Sequence, residues 1–219
     1  MECIQERAFY YWRHGLYGHV QSICTDRPND KPSNLFLTML ISLSKCKLGE
    51  IDEAMENLSR MKNRKDLSLV YDVCTYCINL FNKEKKINQN DLNQLLETNK
   101  LQKTNSLALY YATEVAWLFN IPELYESYLE FIKKSGPMSD LMQTLYAWIL
   151  TTNGKYNEAL ETLDQSTDEY IRRFDLMALY AKIICHANSH QFSESIQIIS
   201  RILSKFNFPE LNIEKCRMY

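Results

Sequence analysis

Cys74 and Cys77 stand two residues apart, the spacing of a thioredoxin-type redox pair or of half a zinc site. No second C-x-x-C completes a zinc set. His186 and His190 are four apart, which suits a metal only when both lie on one face of one helix. The chain has no His-Glu-x-x-His, no Gly-rich phosphate loop and no Gly-x-Ser-x-Gly, and five glycines could hardly build a nucleotide cradle. Nucleophile, acid–base pair, metal and cofactor sites are therefore not expected, and the chain reads as non-catalytic.

The elements that would have to position such residues are helices. With 5 Gly and 5 Pro among 219 residues, too few turn signals exist for a many-stranded sandwich or barrel. A composition of 46% hydrophobic and 24% charged residues suits a folded globular chain. The formal charge of -2 and the short basic groups, such as Lys83, Lys85 and Lys86 or Arg172 and Arg173, argue against a nucleic-acid partner, which needs a sustained basic stripe. The apolar run from Leu35 to Leu43 is interrupted by Thr38 and Ser42 and is far shorter than the roughly 20 residues that span a bilayer, so no membrane insertion is expected. No secretory signal is visible at the N-terminus, and seven scattered cysteines do not form a disulfide framework, which predicts a soluble protein of a reducing, intracellular compartment.

A repeat organises the chain. Gly15 to Val20, Gly49 to Ala54 and Gly154 to Ala159 share a pattern of Gly, any residue, a large apolar residue, two more, then a small or β-branched one, and Asn120 to Tyr125 and His190 to Ser195 are weaker copies. The starts at 15, 49, 120, 154 and 190 are separated by 34, 71, 34 and 36 residues, the period of tetratricopeptide repeats with one degenerate copy in the long interval. Each start suits a left-handed residue ending one helix, and Asp52-Glu53, Asn157-Glu158 and Ser193-Glu194 would cap or charge the start of the next. Seven residues before the start come Ala8, Ser42, Thr113, Ala147 and Ile183, mostly small, where two helices approach closely. Nine residues after it come Cys24, Leu58, Leu129, Leu163 and Ile199, expected in the core. In this register Cys74 and Cys77 face the core of the third unit as small hydrophobes, and His190 falls in a turn, off the helix that bears His186.

The expectation is an all-α tetratricopeptide-repeat solenoid, a single array over 1–219 of about six hairpins. Their ranges are 1–34, 35–68, a degenerate 69–104, 105–138, 139–174 and 175–209, with a further helix starting in 210–219. A longer loop is expected over 82–90. Because no polar capping helix closes the last unit, the chain reads as the first part of something longer.

Some tetratricopeptide domains grip a terminal carboxylate with Lys, Asn and Arg on successive first helices. The corresponding positions here are Gln5 and Phe9, Met39 and Leu43, Tyr110 and Glu114, Thr144 and Trp148, Tyr180 and Ile184, so that clamp is absent. The candidate partner-binding concave face is apolar and consists of Phe9, Trp12, Leu43, Trp117 and Trp148. The same side chains could instead pack the first helices against each other.

Tyr10-Tyr11 leading to Tyr17-Gly18-His19-Val20, then Lys65 to Leu69, then Ala108 to Ala112 running on to Trp117-Leu118, are similar in order and spacing to the N-terminal region of the tetratricopeptide repeat protein 21 family, the large subunit of intraflagellar-transport complex A. The similarity covers nearly the whole chain and is poorest from Lys83 to Thr104. It implies a long solenoid that acts as a scaffold for retrograde ciliary transport and cargo import. Its implied partners are other complex A subunits and ciliary cargo adaptors, and its implied location is the cytoplasm, the basal body and the cilium or flagellum. A tetratricopeptide adaptor or co-chaperone unrelated to cilia is the alternative.

Overall fold

The computed structural model describes residues 4–24, 34–82 and 89–218. Among them the elements are α1 (Ile4–Arg13), α2 (Tyr17–Cys24), α3 (Asn34–Lys47), α4 (Ile51–Ser59), α5 (Ser68–Phe81), α6 (Gln89–Leu95), α7 (Thr98–Gln102) and α8 (Ser106–Leu118). There follow α9 (Pro122–Ser135), α10 (Asp140–Thr152), α11 (Tyr156–Thr162), α12 (Thr167–Arg173), α13 (Leu176–Asn188), α14 (Phe192–Lys205) and α15 (Leu211–Arg217). A single 3₁₀ turn, Lys65–Leu67, leads into α5. The architecture is that of an all-α helical-repeat solenoid.

The turns show why the repeat exists. Gly15, Gly49, Asn120, Gly154 and His190 all adopt positive φ, between 56° and 87°. In each case the N–H of the next residue donates to the carbonyl five positions back: Leu16 to Tyr11, Glu50 to Lys45, Ile121 to Ala116, Lys155 to Leu150 and Gln191 to His186, all at 2.8–2.9 Å. The left-handed residue itself donates to the carbonyl three back, which completes a Schellman motif and satisfies carbonyls that the helix end would orphan. A Gly costs least there because it has no Cβ; Asn and especially His accept a steric penalty to make the same turn. Phe174 makes a sixth such turn after α12, at φ 59°, with the Asp175 N–H donating to the Tyr170 carbonyl at 2.9 Å.

The packing follows the register. Ala8, Ser42, Thr113, Ala147 and Ile183 are fully buried, and Cys24, Leu58, Leu129, Leu163 and Ile199 are buried as well. Several polar members of the interior bond locally. The Ser42 hydroxyl donates to the Thr38 carbonyl and accepts from Asn57 of the paired helix α4, and the Ser195 hydroxyl of α14 donates to the Ile183 carbonyl of α13 at 3.0 Å. Buried hydroxyls with such partners avoid the cost of desolvation without compensation.

Two compact units are formed. The larger comprises Ala8–Pro137; within it α2 packs on α3, α3 on α4 and α5, α5 on α8, and α8 on α9. The other comprises the described residues of Met1–Arg7 and Met138–Tyr219, where α10 packs on α11 and α13, α12 on α13, α13 on α14, and α14 on α15.

Three local expectations need correction. The second helices α4, α11 and α14 have Glu50, Lys155 and Gln191 at their N-caps, and none makes a side-chain capping bond. The pairs Asp52-Glu53, Asn157-Glu158 and Ser193-Glu194 lie inside the first turn, where only their acidic members favour the helix dipole. Side-chain caps occur where α8, α10 and α13 begin: Asn105, Ser139 and Asp175 accept from the N–H groups of Ala108, Met142 and Ala178. These side chains, and Ser166 before α12, satisfy an N–H that a helix start leaves without an intrahelical acceptor, and α13 is capped in this way although it follows the Phe174 turn directly. Range 139–174 holds three helices, and in range 69–104 the second helix is divided into α6 and α7. Most of the loop expected over 82–90 lies outside the described residues.

Candidate functional site

Cys74 and Cys77 are fully buried on α5. Burial pushes the Cys74 thiol up to about 12, and burial followed by the neighbouring Cys74 and Cys46 pushes Cys77 well above the ordinary thiol range. A redox or metal-binding cysteine needs its thiolate near neutral pH, and these thiols are held in the opposite direction. Their observed role is core packing. His186 sits on α13 with Nδ1 2.7 Å from the Gln191 side-chain oxygen, while His190 is the left-handed turn residue and sets its ring edge against Phe192. The two imidazoles do not share a face of one helix.

The aromatic positions are brought into contact within the larger unit. Phe9 is fully buried and its ring stacks on Trp117 at 6.1 Å and 26° between planes. Trp12, also buried, meets Tyr17 at 5.0 Å and Phe119 at 6.0 Å. Phe119 further packs edge-on against Phe81 at 5.5 Å, and the Lys47 ammonium rests 4.2 Å and 4.6 Å from these two rings. Lys47 ends α3, Phe81 ends α5 and Phe119 follows α8, so the cation also sits where helix carbonyl ends favour positive charge. Phe36 stacks on Tyr111 at 6.5 Å, Leu43 is fully buried on α3, and Trp117 itself is half-buried. Trp148 belongs to the other unit, where it is buried edge-on to Tyr180 at 5.5 Å. Thus Phe9 pairs with Trp117, Trp12 packs with Tyr17 and Phe119, Leu43 lies in the same unit, and Trp148 packs within its own.

Glu114 is the residue that reading by type alone passed over. It lies one turn before Trp117 on α8, so the two share a helix face, and it is 2% exposed. Its Oε1 accepts from the Tyr110 hydroxyl at a long 3.4 Å, and its Oε2 has no hydrogen-bond partner. Burial pushes this carboxyl up to about 8, and the Tyr110 hydroxyl opposes the shift only in part. The signal in the sequence was the acid itself, at a register position held elsewhere by Phe9, Leu43, Trp148 and Ile184.

A concavity of about 260 Å³ lies between α5 and the divided helix α6–α7. Its polar lining includes Asp72, Thr75, Tyr76 and Lys100, with the Lys100 ammonium 2.6 Å from the Asp72 carboxylate. Among the described residues no group of three or more His, Cys, Asp or Glu side chains could hold a metal ion. No helix of the described residues is long and apolar enough to cross a membrane.

A family model described as the tetratricopeptide repeat protein 21 N-terminal ARM repeat matches residues 8–219. Tetratricopeptide repeat protein 21B of Mus musculus is 23% identical over 205 residues, which cover 91% of this chain and 15% of that relative. The chain therefore spans about 15% of the length of the curated relative it matches.

Proposed function

The chain belongs to the tetratricopeptide repeat protein 21 family through its N-terminal repeat region, and from that premise we propose that it is a non-catalytic scaffold segment of intraflagellar-transport complex A, serving retrograde transport and cargo import in the cilium. The observation behind this reading is the family match along residues 8–219, supported by the ordered strings from Tyr10-Tyr11 to Trp117-Leu118. Its partners are other complex A subunits and ciliary cargo adaptors, met in the cytoplasm, at the basal body and in the cilium.

Chemistry favours holding over catalysis. The thiols of Cys74 and Cys77 are buried and protonated, and the carboxylate-gripping Lys and Asn are replaced by Phe9, Leu43 and Trp148. Of the candidate anchors, Phe9, Trp12, Leu43 and Trp148 are buried in the chain's own packing and Trp117 is half-buried, so a partner held by apolar contact would meet Trp117, with little dependence on salt. The test is a pull-down from ciliated cells with this chain as bait, at low and high salt. Complex A subunits should be retained under both conditions; their absence from the low-salt sample would refute the ciliary assignment.

A further inference from the structure

We propose that the loop between α4 and α5, together with the junction of α7 and α8 tied to it, is a docking surface for a short acidic segment of a partner protein. The inference goes beyond the apolar scaffold reading, concerns a different surface from Trp117, and does not depend on the ciliary assignment.

Residues 60–66 carry four cations, Arg60, Lys62, Arg64 and Lys65, against the single acid Asp66, a local charge of +3 in a chain whose total is -2. These side chains are exposed. Asp66 is taken by Arg64, whose Nε and Nη2 donate to its two carboxylate oxygens at 3.0 and 2.7 Å. The loop therefore has no acid left for Lys62 or Lys65. The Asn105 amide donates to the Asp66 carbonyl at 2.8 Å, so Lys65 and the exposed Lys103 lie one and two residues from a shared hydrogen bond. Among the described residues, the Lys and Arg side chains with no ion pair, side-chain hydrogen bond or ring partner are Arg60, Lys62, Lys65, Lys103, Arg172 and Lys205. The first four gather here. Arg60 and Lys103 are the C-caps of α4 and α7, where helix carbonyls favour a cation, but Lys62 and Lys65 lie beyond any such end.

The loop is also preformed. Met61 and Leu67 are buried at 4% and 3% exposure, and Lys62, Arg64 and Leu67 each donate a backbone N–H to the carbonyl three residues back at 3.0 Å. Cations on an ordered loop lose less freedom when they meet an anion. A nucleic acid or a membrane presents a long or planar array of phosphates. Such an array would also meet Glu56, one turn before Arg60, and Glu97, the N-cap of α7, both exposed. A run of a few carboxylates need span only the four cations and avoids that repulsion.

The probe is fluorescein-labelled hexaglutamate, titrated by anisotropy into the full chain at about 0.05 M salt. Binding should saturate, and Lys62→Glu with Lys65→Glu should weaken it at least about ten-fold. Arg172→Glu with Lys205→Glu makes the same change of net charge at the unpartnered cations elsewhere, and should weaken it by less than about two-fold. All four side chains are exposed, so both variants should melt as the native chain does. Absence of saturable binding overturns the proposal, and so does equal weakening by the two pairs, which would make net charge the only cause. Vesicles of equal parts phosphatidylcholine and phosphatidylserine, and oligouridylate, are titrated in parallel. Tighter binding of either than of hexaglutamate, lost with the Lys62 and Lys65 reversals, would make a membrane or a nucleic acid the occupant and overturn an acidic protein segment.

Discussion

A buried carboxyl with one long hydrogen bond makes Glu114 sensitive to pH. Held at about 8 in the folded chain against the ordinary 4.5, it is protonated in both folded and unfolded states at low pH. From about pH 4.5 to 8 the unfolded chain releases the proton while the folded chain keeps it, so stability falls as pH rises through that window and levels off above it. Glu114→Gln should remove this decline, and its melting temperature should gain on the native chain's from pH 5 to 8, by roughly 2–4 °C for each kcal/mol. Parallel melting curves for the two proteins across the range would mean that the carboxyl is solvated. Cys74 and Cys77 are predicted to behave as small hydrophobes: Cys74→Ala should cost on the order of 1 kcal/mol, and purified protein should contain no stoichiometric zinc. Metal lost on substitution would contradict core packing. Burial at these residues was legible from the repeat register alone. The penalty at Glu114 was not, because it depends on which side chains from other hairpins exclude water from that face.

At the scale of the helical hairpin, the Schellman turn explains both the period and its tolerances. His190 makes a turn that three of the other four copies make with Gly and one with Asn. His190→Gly should therefore stabilise the chain by up to about 1 kcal/mol, since the φ penalty of an L side chain disappears and the ring contributes only its edge contact with Phe192. A loss of stability in denaturant titration would show that the ring contact outweighs the backbone strain. Leu58, Leu129 and Leu163 fill equivalent positions, each buried, and Leu→Ala at any of them should cost on the order of 2–5 kcal/mol. A loss under about 0.5 kcal/mol at two of the three would contradict the register. These positions were legible because turn chemistry and helix period both act within some 20 residues of chain. The extra helix α12 and the division of α6 from α7 were harder to see. They occupy the stretches between recurrent turns, where neither period nor a glycine marks the boundary, and the side-chain caps at Asn105, Ser139 and Asp175 are ordinary polar residues until the helix start is known.

Along the chain as a whole, some ring contacts join hairpins that are not neighbours in sequence, such as Phe9 with Trp117 and Phe36 with Tyr111. No local pattern records such pairs, which is why the aromatic residues could be singled out from sequence while two of them, Phe9 and Trp12, prove to be anchors of the chain's own first helix. The family match extends over residues 8–219, and the chain spans about 15% of its curated relative. We propose that this segment binds complex A as an apolar scaffold. The measurement that tests it most directly is a binding titration of the purified chain against purified complex A lacking the corresponding segment, at about 0.05 M and about 0.5 M salt. Saturable binding is expected, with a dissociation constant that changes by less than about three-fold between the two. Absence of saturable binding, or a loss of affinity of about ten-fold or more at the higher salt, would contradict it.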